Sequence, residues 1–346
     1  MSYKVSVIVP VYNAQDTLKV AINSVINQTI GFENIELILV DDKSTDNSRE
    51  IITSYSNKYG NIKAIFLEEN TGSPSKPRNI GINNATSPYL IFLDSDDEII
   101  SDYCETLYNA IEKEKVNVVH CGFARKFLDE VYVSSKPSKE TCEVENPLFL
   151  RLTMWGVFKN SFINECGIKC SPTLHEDAVF ALKAFSEGGN IIDLPNYCGY
   201  IYTTEQEGNV SVTHNVSIND FIKYLKGFYI LNEYLNENKL NNEKLWMDQL
   251  LLPLYMFLKI DGNKEEKIAV LKKYREFELS LNYPNIKLLF KPMDMLNKAI
   301  MNEQYNKAIF LSSIASKIYN WRKLKNFIFK HTKGLKKIEL DELSKG

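Results

Sequence analysis

The 346-residue sequence lacks the glycine-rich motifs that most often bind nucleotides. No GxGxxG follows the first apolar stretch and no GxxxxGKS or GxxxxGKT occurs, so neither a dinucleotide site nor a P-loop is indicated. The six cysteines are scattered without paired metal-ligand spacing, which argues against a structural zinc site. A formal net charge of −3 argues against a general nucleic-acid binder.

Long hydrophobic runs are also missing. No apolar stretch is long enough to span a bilayer, and Met1 leads directly into a strand pattern without a signal-like segment. We therefore expect a cytoplasmic protein. The length exceeds that of an average domain, so two structural units are expected.

Short apolar stretches separated by helical periodicity fill the first quarter of the chain. Residues 5–9, 35–40, 62–67 and 89–93 are predominantly apolar, which is typical of strands buried on both faces. Segments with helical spacing lie between them. This alternation predicts an α/β fold with a mainly parallel sheet and flanking helices.

Acidic residues follow the strand predicted at 89–93, in the order Asp94, Ser95, Asp96, Asp97 and Glu98. Such a cluster either caps the next helix or holds a divalent metal together with substrate phosphates. Because parallel strands end at one edge of a sheet, the polar residues of neighbouring strand ends should converge there. The converging set is Tyr12, Asn13, Asp41, Asp42, Lys76, Arg78, Asp94 and Asp96.

This convergence favours a metal-nucleotide crevice over a helix cap. Lys76 and Arg78 are expected on a loop facing the carboxylates, where the planar donor fork of Arg78 suits a base or a phosphate. Asp97 and Glu98 are expected to serve the following helix instead.

Four ordered motifs then resemble those of family 2 inverting glycosyltransferases with the GT-A fold. They are residues 7–13 (VIVPVYN), 40–48 (VDDKSTDNS), 77–81 (PRNIG) and 92–97 (FLDSDD). The match is strong over the first third of the chain and weaker to about residue 215. Lys43 stands where the family often has glycine.

The resemblance implies a nucleotide-sugar donor, most often UDP-linked, and a metal ion, Mn²⁺ or Mg²⁺. It implies that Pro10, Tyr12, Asp42 and Arg78 bind the base and ribose of the nucleotide and that Asp94 contacts the ribose or the metal; Lys76 and Ser95 are further expected nucleotide-sugar-binding residues. Asp96 would bind the metal, and His214, in a segment similar to the family's flexible loop, would complete the metal shell. Residues 72–79 are similar to a loop of teichoic-acid-modifying enzymes, which implies a polyol-phosphate, teichoic acid or capsular glycan acceptor.

A Glu-Asp pair, Glu176 and Asp177, precedes an apolar helical pattern. The pair would complement the helix macrodipole, or one carboxylate would act as a general base. The family has its catalytic Asp at such a pair, so the resemblance implies Asp177 as the base and Glu176 as a lesser candidate. Trp155, beside Gly156, is either a core residue or a flat face for a sugar ring.

From residue 218 to the end the pattern predicts helices and no strands. We therefore expect a catalytic domain at 1–217 and a helical C-terminal domain at 218–346. No acidic residue lies between Tyr305 and Lys337, a stretch that is rich in lysine and aromatic residues. It would contact a membrane surface, where an acceptor could be lipid-linked, or pack on other helices or a second subunit.

The sequence thus predicts a metal-dependent inverting glycosyltransferase acting on a cell-surface glycan. Two alternatives remain open at this point. A nucleotidyltransferase also needs acidic metal ligands, and a non-catalytic sugar-nucleotide or glycan-binding module would keep the crevice without the base.

Overall fold

A computed structural model describes most of the chain. The described residues are 2–127, 130–133, 138–144, 153–205, 216–240, 243–281, 283, 286–288, 290–329 and 336–343. For residues 318–329 only the backbone is described.

The chain divides into two compact units. The first comprises Met1–Pro172, Glu176–Glu207 and Gly334–Gly346, and the second comprises Thr173–His175 and Gly208–Lys333. The roles that we assigned to the domains 1–217 and 218–346 stay predictions.

Every strand in the described part of the chain belongs to the first unit. They are β1 (Val5–Val11), β2 (Ile35–Asp41), β3 (Ile62–Phe66), β4 (Tyr89–Phe92), β5 (Glu98–Ile99), β6 (Val118–Cys121), β7 (Phe123–Phe127), β8 (Glu130–Val133), β9 (Cys142–Glu143), β10 (Gly156–Lys159), β11 (Ile191–Leu194), β12 (Tyr200–Glu205) and β13 (Lys336–Ile338). Its helices are α1 (Leu18–Ile26), α2 (Ser48–Lys58), α3 (Ser75–Asn84), α4 (Tyr103–Glu114), α5 (Asn160–Glu165) and α6 (Glu176–Glu187), with a 3₁₀ turn at Phe32–Asn34 and a short C-terminal helix at Leu340–Leu343.

The larger sheet has the strand order β3-β2-β1-β4-β10-β6-β11-β9. Strands β1 to β4 are parallel to one another, and β6 is parallel to β11. Every residue of β1, β2 and β4 is buried, as expected for strands covered by helices on both faces. The predicted α/β fold with a mainly parallel sheet is therefore confirmed.

The sequence pattern predicts a short helix at 79–85, but α3 begins four residues earlier, at Ser75. Lys76 and Arg78 therefore lie in its first turn and not on a loop. Pro77 is tolerated there because the first N–H groups of a helix have no partner within the helix. This placement turns Arg78 inward and leaves Lys76 exposed.

The polar composition of residues 125–145 predicts an irregular segment, and this prediction is wrong for the described part. β7 and β8 form an antiparallel hairpin, and β9 pairs with β11. In β7 a buried residue, Ala124, is followed by an exposed one, Arg125. The strand is too short for this alternation of apolar and polar residues to be recognised in the sequence. The sequence predicts an edge strand at 190–194, ending before Pro195, and this prediction is wrong because β11 lies between β6 and β9.

The smaller sheet has the order β13-β8-β7-β12-β5. β13 pairs antiparallel with β8, with Lys337 opposite Tyr132. The expectation that no strand follows residue 218 is therefore wrong at this point. A three-residue strand at a sheet edge is too short to show a period of its own.

The second unit is helical, as the pattern after residue 218 predicts. Its helices are α7 (Ile218–Glu237), α8 (Glu243–Gln249), α9 (Leu251–Phe257), α10 (Lys264–Leu279), α11 (Lys291–Met301) and α12 (Tyr305–Phe329). Ser217 and Asn263 form capping boxes with Asp220 and Glu266, which fix where α7 and α10 begin. No helix in the described ranges is long and apolar enough to cross a membrane.

Candidate active site

The ends of β1, β2 and β4 lie side by side in the larger sheet, because β1 pairs with β2 on one side and with β4 on the other. The predicted convergence of polar strand ends is therefore confirmed. At these ends Pro10 is part of β1 and Tyr12 follows it with half of its surface exposed. Asp94 lies two residues beyond the end of β4.

Asp41 and Asp42 organise the loops at this edge. Buried Asp41 pairs with Arg49 at 3.4 Å and accepts a hydrogen bond from the Ser44 amide at 3.2 Å. The Asp42 carboxylate accepts hydrogen bonds from the amide of Thr71 at 3.0 Å and from its hydroxyl at 3.0 Å. Asp42 therefore fixes the loop that precedes α3, and its contact with the nucleotide stays a prediction.

Lys43 has a φ of 60°, which lies in the left-handed region that favours glycine. The backbone conformation thus gives the reason for the glycine that the family often has at this position. Lysine accepts the same turn at some cost in strain.

Arg78 lies at the centre of the site and joins two of its carboxylates. Its Nη2 pairs with Asp94 at 2.5 Å, and its Nη1 pairs with Glu176 at 2.5 Å. Its Nε is buried without a hydrogen-bond partner among the described residues. Both terminal nitrogens are thus committed to protein carboxylates.

Helix α3 is attached to the segment that precedes α6, and this attachment positions Arg78. The Asn79 amide donates to the Cys170 carbonyl at 2.8 Å and accepts from the Cys170 amide at 2.9 Å. The Ser75 hydroxyl donates to the Ser171 carbonyl at 2.5 Å. These contacts hold the guanidinium between Asp94 and the first turn of α6.

Glu176 and Asp177 lie in the first turn of α6, as predicted. Burial raises the pKa of Glu176 to about 7; the Arg78 guanidinium opposes this rise and the Asp177 carboxylate adds to it. Burial also raises the pKa of Asp177, again against the effect of Arg78. The two side chains point to different surroundings, since Glu176 contacts Arg78 whereas Asp177 lines a cavity.

The cavity has a volume of about 100 Å³ and carries charged groups and aromatic rings together. It is lined by Arg78, Phe92, Asp94, Thr153, Met154, Trp155, Asp177, Tyr200 and Tyr202. A larger but open groove of about 550 Å³ lies along α2 beside Phe66 and contains none of the predicted site residues. The smaller cavity is therefore the candidate active site.

An aromatic wall, Trp155 with Tyr200 and Tyr202, bounds this cavity. The Trp155 ring centroid is 5.4 Å from that of Tyr200 and 6.3 Å from that of Tyr202. The partly exposed Trp155 thus packs on neighbours and also lines the cavity, so both expectations for it hold in part. Sequence reasoning missed the two tyrosines, and the alternation of β12 is the signal that would have placed both on one face.

The acidic cluster after β4 divides between a solvent-accessible part and a buried part. Asp96 is accessible although protein surrounds it on several sides; this crowding and the Asp94 carboxylate raise its pKa to about 6. Asp97 is buried, and it accepts hydrogen bonds from the Tyr200 hydroxyl at 2.7 Å and the Thr203 amide at 2.8 Å.

The expected role of Asp97 and Glu98 at the following helix is wrong. Asp97 binds β12, and Glu98 belongs to β5 and pairs with Lys126 at 2.5 Å. Helix α4 begins at Tyr103 instead, four residues after the end of β5. Burial and the neighbouring carboxylates Asp96 and Asp94 raise the pKa of Asp97 well above its usual range.

The donor atoms at this edge of the sheet determine whether a metal ion fits the predicted site. Asp94 and Asp96 present hard oxygen donors at the sheet edge, which suits Mg²⁺ or Mn²⁺ when substrate phosphates supply further ligands. Within the described residues, no group of three or more His, Cys, Asp or Glu side chains could hold a metal ion. The residues fit a site that is completed by substrate, and His214 lies outside the described residues.

Comparison with known proteins identifies the class of protein. A family model described as glycosyl transferase family 2 matches residues 6–163. Over 352 residues the chain is 30% identical to a cholesterol galactosyltransferase of Borreliella burgdorferi, covering 92% of this chain and 93% of that protein. The chain therefore belongs to glycosyl transferase family 2, and the resemblance seen in its motifs is confirmed.

Two further similarities are to a poly(ribitol-phosphate) beta-glucosyltransferase and to TarS. The chain is 34% identical over 211 residues to a poly(ribitol-phosphate) beta-glucosyltransferase of Bacillus spizizenii, covering 59% of this chain and 33% of the relative. The chain thus spans one third of that relative's length. The crystal structure of S. aureus TarS 1-349 in complex with UDP-GlcNAc superposes with a TM-score of 0.61 at 21% identity, covering 91% of this chain and 92% of that one. This last similarity confirms the GT-A fold.

Proposed function

We propose that this chain transfers a sugar from a nucleotide donor, UDP-linked, to an acceptor hydroxyl with inversion at the anomeric carbon. The observation that carries the proposal is the placement of Asp177 and the Arg78-bound Asp94 around one cavity at the carboxyl edge of the sheet. A base and a donor-binding carboxylate within one cavity are what a displacement on a bound sugar needs.

Asp177 is the general base in this proposal. It would accept the proton of the acceptor hydroxyl as that oxygen attacks the anomeric carbon from the face opposite the leaving nucleoside diphosphate. Its raised pKa brings it closer to the working pH, which favours proton transfer. Glu176 is less suited because Arg78 holds it away from the cavity in a buried ion pair.

The donor side consists of the strand ends. Pro10, Tyr12, Asp42, Ser95 and exposed Lys76 remain assigned to the nucleotide sugar. Mn²⁺ or Mg²⁺ held by Asp96 would supply positive charge to the diphosphate leaving group. Arg78 positions Asp94 beside this group and keeps Glu176 in place.

The acceptor is proposed from the relatives. The Bacillus relative is named for poly(ribitol phosphate), whereas the Borreliella relative is named for cholesterol. A polyol-phosphate or surface-glycan acceptor agrees with the sequence motif at 72–79 and is the one that we propose.

Two substitutions test the mechanism. Asp177→Asn should leave UDP affinity nearly intact and reduce transfer by about 100-fold or more, since a positioned base contributes about 10² to 10⁴ in rate. Glu187→Gln, at the exposed end of the same helix, is the matched control and should keep wild-type turnover. Wild-type turnover in Asp177→Asn would reject the base assignment.

Asp96→Ala tests the metal site. It should weaken the binding of UDP that depends on Mn²⁺, as measured by titration calorimetry, without changing metal-free binding. Identical metal dependence in the variant would remove Asp96 from the site. The same preparations separate the alternatives: a nucleotidyltransferase releases pyrophosphate from a nucleoside triphosphate, and a binding module consumes no donor.

We also propose that α12 contacts an anionic membrane surface. Phe310 and Ile314 lie one helical turn apart with 64% and 38% of their surfaces exposed, and exposed Lys307 and Lys317 flank them. The sequence continues this spacing with apolar Trp321 and further cations without any acid. A second copy of the chain would bring like charges together, whereas each cation near an anionic leaflet contributes about 1 kcal/mol.

Flotation with vesicles tests this surface. The protein should float with phosphatidylglycerol vesicles and not with phosphatidylcholine, and Phe310→Ser with Ile314→Ser should abolish flotation. Leu279→Ser removes an equally exposed apolar residue outside α12 and should leave it unchanged. Unchanged flotation of the double variant would contradict the proposal. A double variant that floats as wild type does but no longer self-associates would instead support packing on a second copy of the chain.

A further inference from the structure

We propose that Arg125 on β7 binds a phosphate group of the acceptor, so that the acceptor is an anionic, phosphodiester-containing chain. This inference rests on the proposed glycosyl transfer. It assigns to the site a residue of the smaller sheet that lies outside the four sequence motifs.

The register of β7 and β12 places Arg125 next to the aromatic wall. Arg125 is the direct partner of Tyr202, and Phe123 is the partner of Tyr200. Since side chains alternate along a strand, these four residues share one face of the sheet. Tyr200 and Tyr202 line the cavity, so Arg125 lies one strand away from it.

Ring contacts continue the wall toward this guanidinium. The centroids of the Phe123 and Trp155 rings are 4.2 Å apart. The Arg125 guanidinium lies over the same Phe123 ring, 5.6 Å from its centroid. Such stacking orients a guanidinium while leaving its N–H fork open to a phosphate. Aromatic faces beside it suit the carbon skeleton of a sugar or polyol.

The charge of Arg125 is not neutralised within the part of the chain that the structure describes. It is exposed and forms no ion pair with any described residue, whereas its neighbour Lys126 pairs with Glu98 at 2.5 Å. Arg125 is nevertheless close enough to Tyr202 that its charge opposes the rise in the pKa of that phenol, which burial brings to about 12.

The cavity needs a cation if its acceptor is anionic. Asp94 and Asp177 line it, and the terminal nitrogens of its one lining arginine, Arg78, are committed to carboxylates. A phosphodiester approaching Asp177 would be repelled by these carboxylates. Arg125 supplies the opposite charge at the aromatic side.

The acceptor is favoured over the donor diphosphate because of where the two binding sets lie. The predicted donor residues follow β1, β2 and β4 of the larger sheet, whereas Arg125 belongs to the smaller sheet, beyond Tyr202. A donor diphosphate is nevertheless a second possible source of phosphate. The experiment therefore measures both.

The test compares Arg125→Ala, Arg125→Lys and the control Lys126→Gln by direct binding and by kinetics. The probes are a ribitol-phosphate trimer, free ribitol, UDP and a UDP-sugar. Arg125→Ala should raise the Kd of the trimer about 10-fold, as expected for the loss of a charged hydrogen bond, and Arg125→Lys should raise it less. The Kd of UDP should not change in any variant, and the Kd of the trimer should not change in Lys126→Gln.

Three results would overturn the inference. The first is an unchanged trimer Kd in Arg125→Ala, and the second is a raised UDP Kd with an unchanged trimer Kd in that variant. The third is a rise in the trimer Kd in Lys126→Gln equal to that in Arg125→Ala. The readout is binding, so it stands apart from the proposed function. If wild type hydrolyses no UDP-sugar and transfers none, the proposed function fails even where the trimer binds through Arg125.

Discussion

Replacing Arg78 by methionine should destabilise the first unit in a strongly pH-dependent way. Arg78 is buried and joins Asp94 to Glu176, and methionine keeps most of its volume without the charge. Asp94 is partly exposed and will be hydrated. Glu176 is buried and will not be hydrated, so the destabilisation by Arg78→Met should arise mainly from the unpaired Glu176 carboxylate.

The magnitude follows from the pKa of Glu176, which is about 7 in the native protein and 4.5 as a reference value. Because the folded pKa is the higher one, stability from this group is fully present at low pH and is lost as pH rises through about 7. In wild type this loss stops once Glu176 is ionised. Without Arg78 the folded pKa rises further, toward the values of about 8 to 9 known for buried glutamates, and the loss continues.

Each further pH unit costs about 1.36 kcal/mol until the variant's own pKa is reached. The extra destabilisation of Arg78→Met should therefore be nearly constant below about pH 6 and grow by about 1 to 2 kcal/mol between pH 6.5 and 8.5. Arg78→Met with Glu176→Gln should remove this growth, since no ionisable group remains at position 176. Asp177 is unchanged in both variants.

The assay is urea unfolding at pH 6.0 and 8.5, with hydrogen exchange of the α6 amides as the local reporter. Hydrogen exchange separates opening of this helix from events in the second unit. An Arg78→Met effect of equal size at both pH values would refute the reasoning. A pH-dependent effect that persists in the double variant would do the same.

Two further predictions concern stability elsewhere. Glu278 in the second unit is buried, and one of its oxygens accepts a hydrogen bond from the Asn297 amide at 2.8 Å. Burial raises the pKa of Glu278 to about 7. Wild type should therefore lose about 3 kcal/mol of stability at this group between pH 5 and 8.5. Glu278→Gln should abolish this loss in urea midpoints, and a loss equal to that of wild type would contradict it. Gly156→Ala should destabilise by about 1 to 3 kcal/mol, because φ is 136° and a Cβ would lie 2.1 Å from the Val119 carbonyl oxygen. Gly60→Ala, where a Cβ meets nothing within 4 Å, is its control in thermal denaturation and should be nearly neutral.

Local pattern was sufficient for the elements that build the donor side. Consecutive apolar residues predicted β1, β2 and β4, and chain alternation predicted that their ends converge. The position of Asp177 in the first turn of α6 was also predictable, because the helical period begins there. These are properties of short segments, and burial on both faces of a strand leaves a direct trace in composition.

Long-range pairing left no such trace. Asp97 contacts Tyr200 and Thr203 more than a hundred residues away, and β13 joins a sheet formed by residues before 206. The aromatic wall likewise joins residues from β12 and from the turn before β10. A hydrogen bond or ring contact between distant residues imposes no period on either segment, so no local pattern predicts it.

The sequence by itself determined the α/β class, the order of the strand ends and the carboxylates that they carry. Tertiary structure decided which member of the Glu176–Asp177 pair lines the cavity. Glu176 and Asp177 are adjacent in the chain and chemically alike, yet the ion pair with Arg78 turns one inward and leaves the other facing the cavity. Adjacent residues on a helix point about 100° apart, so their roles depend on what packs against each face, which only the folded chain specifies.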